Sequence, residues 1–71
     1  MEYAVIIRRD GDGFSVFFPD VPGCFSCGDT YEEAFHNSRI ALEEHLAALR
    51  DLGKPIPKPK SRAATISVKA S

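Results

Sequence analysis

A chain of 71 residues, 44% hydrophobic and 27% charged, is one small globular domain at the lower limit of independent folding, because a chain near this size buries only about 60% of its unfolded surface. It has no apolar run near the roughly 20 residues that a membrane span needs. Its start, MEYAVIIRRDGDG, lacks the basic region and small-residue cleavage site of a signal peptide, so a cytosolic protein with no membrane partner is expected.

The net charge of −1 conceals a division. All ten acids lie between Glu2 and Asp51, alongside four Arg, whereas Lys54 onward carries five bases and no acid. The acidic body suits a basic protein partner, and the basic tail suits nucleic acid or a second subunit.

Tyr3 to Arg8 (YAVIIR) is β-branched and apolar, DGDG supplies turn residues, and Phe14 to Phe18 (FSVFF) is again strand-like. This pattern predicts a hairpin. Pro19 and Pro22 then interrupt the ladder, and Cys24 to Gly28 is short enough for a third strand. Thr30 with Glu33 has capping-box spacing, so a helix is expected from Tyr31. Ala34, Phe35, Ser38, Ala41, Leu42, His45, Leu46, Leu49 and Leu52 recur at three- and four-residue steps as its apolar stripe, with Glu32, Asn37, Arg39, Glu43, Glu44 and Arg50 on the other side. Gly53 is placed to end the helix. KPIPKPK then predicts an extended path back across the domain, and Ala64 to Ala70 alternates as a half-buried fourth strand beside the first would.

The expected architecture is therefore α+β, in the order β-β-β-α-β. An antiparallel three-stranded meander gains a fourth strand, and one long helix packs on one face of the sheet across a single domain, residues 1–71. One helix covers only one face of such a sheet, yet both parities of the hairpin are apolar: Tyr3, Val5, Ile7, Phe14, Val16 and Phe18 on one, Ile6 and Phe17 on the other. An apolar face left open marks an interface, so Ile6 and Phe17 are candidate contact residues for a protein partner or for self-association as a homodimer or higher oligomer. The sequence leaves open which parity meets the helix.

No pattern of residues supplies a catalytic centre, a cofactor site or a metal site. Cys24 and Cys27 lack two further ligands for zinc, since His36 and His45 lie nine residues apart on the helix and point in roughly opposite directions. A dithiol redox motif belongs at a helix start, whereas these thiols fall in a short strand where positions three apart point to opposite faces. Two reduced, mostly buried cysteines are expected. Two-metal nuclease chemistry needs converging carboxylates, but the first strand reads AVII and the last carries no acid. Nucleic-acid binding rests only on Lys54, Lys58, Lys60, Arg62 and Lys69, without aromatic residues for base stacking.

FFPDVPGC, then CGDTYEEA, then PIPKP after the helix resembles the HicB family of antitoxins and HicB-like small proteins over about residues 3–59. Pro19, Asp20, Val21, Pro22, Gly23, Cys24, Gly28, Asp29, Thr30, Glu33 and Ala34 carry the likeness, most of them as residues that define the fold. The resemblance implies a truncated ribonuclease H-like fold without nuclease chemistry, and an antitoxin that neutralises a small basic mRNA-cleaving HicA-type toxin by covering its active surface. The acidic body suits that partner, with Glu43 and Glu44 as candidate contacts. A self-associating HicB-like scaffold without a toxin is the alternative. HicB antitoxins usually continue into a helix-turn-helix or ribbon-helix-helix domain that binds the operator; no such segment occurs within these residues, so DNA binding is not expected of them.

Overall fold

The computed structural model describes residues 1–70. Three strands, β1 (Ile6–Asp10), β2 (Gly13–Phe17) and β3 (Phe25–Gly28), are followed by one helix, α1 (Tyr31–Asp51). The strands form an antiparallel sheet in the order β1-β2-β3. A two-residue loop, Gly11–Asp12, sets Asp10 opposite Gly13, Ile7 opposite Val16 and Ile6 opposite Phe17. Pairing begins at Ile6 rather than Tyr3 because β2 ends at Phe17. Two residues later Pro19 has no N–H to give a ladder, and the chain turns away.

The PDVPG segment is a pair of consecutive turns. Val21 N–H donates to the Phe18 carbonyl (3.2 Å) and Cys24 N–H to the Val21 carbonyl (3.3 Å). Each turn has Pro in its second position, Pro19 and then Pro22, where a fixed φ near −65° is already correct. Gly23 has a φ of 83°, the left-handed value that a type II turn demands at its third position. The double turn sends Val21 and Cys24 inward and returns the chain so that Phe25 pairs with Phe17.

At the start of α1, the Thr30 hydroxyl accepts from Glu33 N–H (3.1 Å). Glu33 Oε1 reaches back to Asp29 N–H (3.4 Å), one residue before the position a strict capping box uses. At the far end Lys54 N–H donates to the Leu49 carbonyl and Gly53 N–H to that of Arg50, the paired bonds of a Schellman ending.

Val16, Phe18, Val21, Cys24 and Ala34 form the buried core, and Tyr3, Val5, Ile7, Phe14, Ala41 and Leu42 pack around it. The Tyr3, Val5, Ile7, Phe14, Val16, Phe18 parity therefore faces α1, which settles the sheet's orientation. The helix lies mainly over β3 and β2 and touches β1 least. Its stripe is only partly used. Ala34 and Ser38 are buried, Leu42, His45, Leu46 and Leu49 are half-buried, and Phe35 and Leu52 are exposed. A 21-residue helix is about 31 Å long, and strands of four or five residues span only about 17 Å, so the carboxy-terminal half overhangs the sheet. Asn37, expected on the solvent side, instead donates to the Cys27 carbonyl (2.9 Å) and ties α1 to β3.

The fourth strand is not formed. The proline-rich segment does cross back: the Tyr3 hydroxyl donates to the Pro57 carbonyl, and Asp20 accepts from the Lys60 and Ser61 N–H groups, both at 2.7 Å. Beyond Ala63 the chain leaves the domain. Ile66 and Val68 are 85% and 79% exposed, and no strand follows α1 among the described residues. The radius of gyration, 13.9 Å, exceeds the roughly 11 Å of a compact chain of this length. Alternation in Ala64–Ala70 records a strand-forming preference, and that preference finds no partner strand within this chain.

Candidate partner-binding surfaces

Because Ile7 and Val16 face the helix, their neighbours face away. Ile6 pairs with Phe17 and Phe17 with Phe25, so the three side chains form one cross-strand row on the sheet face that carries no helix. Ile6 and Phe17 are half-buried, and Phe25 is 70% exposed. The Arg8 guanidinium lies 5.3 Å from the centre of the Phe17 ring, shielding one side of the row while keeping its charge in water. Ile6 and Phe17 stand out in the sequence as surplus apolar residues, whereas Phe25 does not. The double turn fixes the parity of β3, and spacing alone does not reveal it.

Glu43 and Glu44 are exposed on α1. The helix covers the opposite face of the sheet, so the structure separates the two candidate contact groups: an apolar row on one side and acidic residues on the other. Glu32 and Glu33 in the first turn are also exposed and extend the acidic character along the helix.

The motif residues have structural roles. Pro19, Pro22 and Gly23 make the turns, Thr30 and Glu33 cap the helix, and Asp29 offers its backbone N–H to Glu33. Asp20 joins the turn to the tail through Lys60 and Ser61, and accepts from the Ser61 hydroxyl as well (2.8 Å). The Ser61 N–H, then the Lys60 N–H and the Ser61 hydroxyl, hold the Asp20 carboxyl below its ordinary value of 3.8. Cys24 and Cys27 are unpaired thiols, Cys24 buried just before β3 and Cys27 exposed within it; the expectation that both are mostly buried holds for Cys24 alone. Burial pushes the Cys24 thiol above its ordinary 9.0, which keeps it protonated and unreactive at neutral pH. Among the described residues no three His, Cys, Asp or Glu side chains gather as a metal-ligand set. Among the described residues no helix is long and apolar enough to cross a membrane.

Known proteins share this arrangement. A family model described as "HicB_like antitoxin of bacterial toxin-antitoxin system" matches residues 3–70. A UPF0150 protein of Thermoplasma acidophilum is 36% identical over 67 residues, covering 93% of this chain and 97% of that protein. An uncharacterized 14.9 kDa protein of Haemophilus phage HP1 is 41% identical over 58 residues, covering 82% of this chain and 44% of the phage protein. Antitoxin HicB 2 of Photorhabdus laumondii is 35% identical over 72 residues, covering the whole of this chain and 52% of the antitoxin. The chain thus spans about half the length of these last two relatives.

Among solved structures, a chain from a HicA3 and HicB3 toxin-antitoxin complex superposes with a TM-score of 0.74 at 37% identity, covering 83% of this chain and 70% of that one. The Burkholderia pseudomallei antitoxin HicB superposes with a TM-score of 0.76 at 33% identity, covering 87% of this chain and 48% of that one. With a family model spanning residues 3–70 and two solved structures superposing on the same fold, the chain belongs to the HicB-like antitoxin family of bacterial toxin-antitoxin systems.

Proposed function

We propose that this chain is a non-catalytic toxin-binding module, which captures a small basic HicA-type toxin and silences it by covering the surface that engages RNA. The observation that carries this reading is the close superposition on a chain of a toxin-antitoxin complex at 37% identity. The chemistry of the two surfaces supports it. The Ile6–Phe17–Phe25 row offers what the centre of a protein interface needs, two aromatic rings and an aliphatic side chain already held rigidly by a sheet. Charge on the helix does different work. Glu43 and Glu44, away from the row, draw a basic partner from a distance and orient its approach.

Kinetic measurement separates these roles. With Phe17→Ser and Phe25→Ser, the toxin complex is expected to dissociate about tenfold faster or more, with little change in its salt dependence. With Glu43→Lys and Glu44→Lys, the association rate is expected to fall and its salt dependence to flatten, while dissociation barely changes. Faster dissociation from the charge reversal and none from the phenylalanine changes would place the toxin on α1 instead. If only the chain itself is recovered, as a defined oligomer without a toxin, the self-associating scaffold becomes the better reading.

A further inference from the structure

The sheet face that carries the apolar row also carries a charge. Arg8 pairs with Ser15, and Ser15 with Cys27. These residues lie two positions along their strands from Ile6, Phe17 and Phe25, so they form a second cross-strand row on the same face. Asp10, opposite Gly13, follows at the hairpin loop. Among the paired residues of this face Arg8 is the one cation, and it is exposed. Arg9 has the other parity and lies over Phe14 on the helix side.

Arg8 does not turn away from the apolar row. Its guanidinium stands 5.3 Å from the centre of the Phe17 ring, the middle member of that row. The ring face attracts the charge but offers no lone pair to the guanidinium N–H donors, so water serves them in the free chain. A partner that covers Phe17 strips this water, because the guanidinium sits beside the ring being covered. Left without acceptors in a closed interface, a guanidinium costs more than its contact with a ring returns. Covering the row is therefore favourable for a partner that brings oxygen acceptors to this point. A carboxylate suits it best, since its paired oxygens match the fork of the guanidinium.

We propose that Arg8 is a specificity-determining contact for the toxin: the toxin carries an Asp or Glu beside the apolar group that it seats on Phe17 and Phe25, and Arg8 pairs with that carboxylate. This inference rests on the toxin-binding reading above and on its placement at the row. For a basic protein such a carboxylate is a local reversal of sign. The two faces of the domain then read different features of one partner. Glu43 and Glu44 respond to its overall positive charge, whereas Arg8 selects the acid at one position and repels basic proteins that bring a like charge there.

The test measures binding of the small basic RNA-cleaving protein that accompanies the tagged chain, with Phe17→Ser as the reference change. Arg8→Gln is expected to raise the dissociation constant about tenfold or more, mainly through faster dissociation, and Arg8→Glu to raise it further. Arg8→Lys keeps the charge without the fork and is expected to fall between the unaltered chain and Arg8→Gln. Changing the matching Asp or Glu of the toxin to Arg is expected to restore binding to the Arg8→Glu chain. Position 8 is exposed, so the circular dichroism of the helix and the unfolding midpoint should stay nearly constant in all three variants. Binding that is equal or tighter with Arg8→Glu would overturn the proposal, because that is the behaviour of a cation merely facing a basic partner. Failure of every such acid-to-Arg change in the toxin to restore binding would overturn it too. In either case a weakening by Phe17→Ser leaves the toxin on the row; no effect of Phe17→Ser would remove the toxin from this face and both readings with it.

Discussion

Gly28 shows how one residue sets the spacing between sheet and helix. A Cβ added there would lie 2.4 Å from Ala34 N and 2.7 Å from Ala34 Cα, and both are backbone atoms that side-chain rotation cannot move. Gly28→Ala is therefore expected to destabilise the fold by about 1 to 3 kcal/mol, measurable by denaturant unfolding; a neutral result would contradict the close packing of β3 on the first turn of α1. Asp20 works through charge. Its folded carboxyl titrates below 3.8 because the ionised form accepts from Ser61 and Lys60. A lowered folded value means that the tie is complete above the ordinary pKa and is lost as pH falls through the folded one. The Lys60 and Ser61 amide resonances are expected to hold steady at higher pH and to move together as acid titrates Asp20. Amides that do not respond, or that respond only as pH rises above neutral, would contradict the tie.

At the scale of elements, what the sequence disclosed depended on how local the determining physics was. The helix was legible at both ends because its signals act within a few residues: Thr30 and Glu33 cap the start, and Gly53 closes the end with two backbone bonds. Thr30→Ala is expected to cost about 1 kcal/mol, and an unchanged unfolding midpoint would show the cap to be dispensable. The hairpin was legible for the same reason. Sheet parity was not, because Ile6 and Phe17 are as apolar as Ile7 and Val16, and only the placement of the helix distinguishes them. Leu52 and Phe35 fit the periodic stripe yet stand exposed, since periodicity cannot report that the sheet is shorter than the helix. Of the candidate contacts, Ile6 and Phe17 were visible as a surplus of apolar residues, whereas Phe25 depended on the exit angle of the Pro19–Gly23 double turn. Ala64–Ala70, expected as a fourth strand from its alternation, forms no strand in the structure, because alternation reports a local preference and not whether an edge is there to pair with.

At the scale of the whole molecule, a small sheet carries its helix on one face and leaves three features unsatisfied: the Ile6–Phe17–Phe25 row, the edge of β1, and a projecting alternating tail. A domain of this size gains from covering such surface. Neutralisation, as proposed above, is tested most directly by purifying the small basic protein that accompanies the tagged chain in its native cell extract and titrating the chain into an RNA-cleavage assay of that protein. Cleavage is expected to stop once the chain reaches stoichiometric amounts, and to persist when Phe17 and Phe25 are both replaced by Ser. Cleavage continuing at its full rate in saturating excess of the unaltered chain would contradict the account.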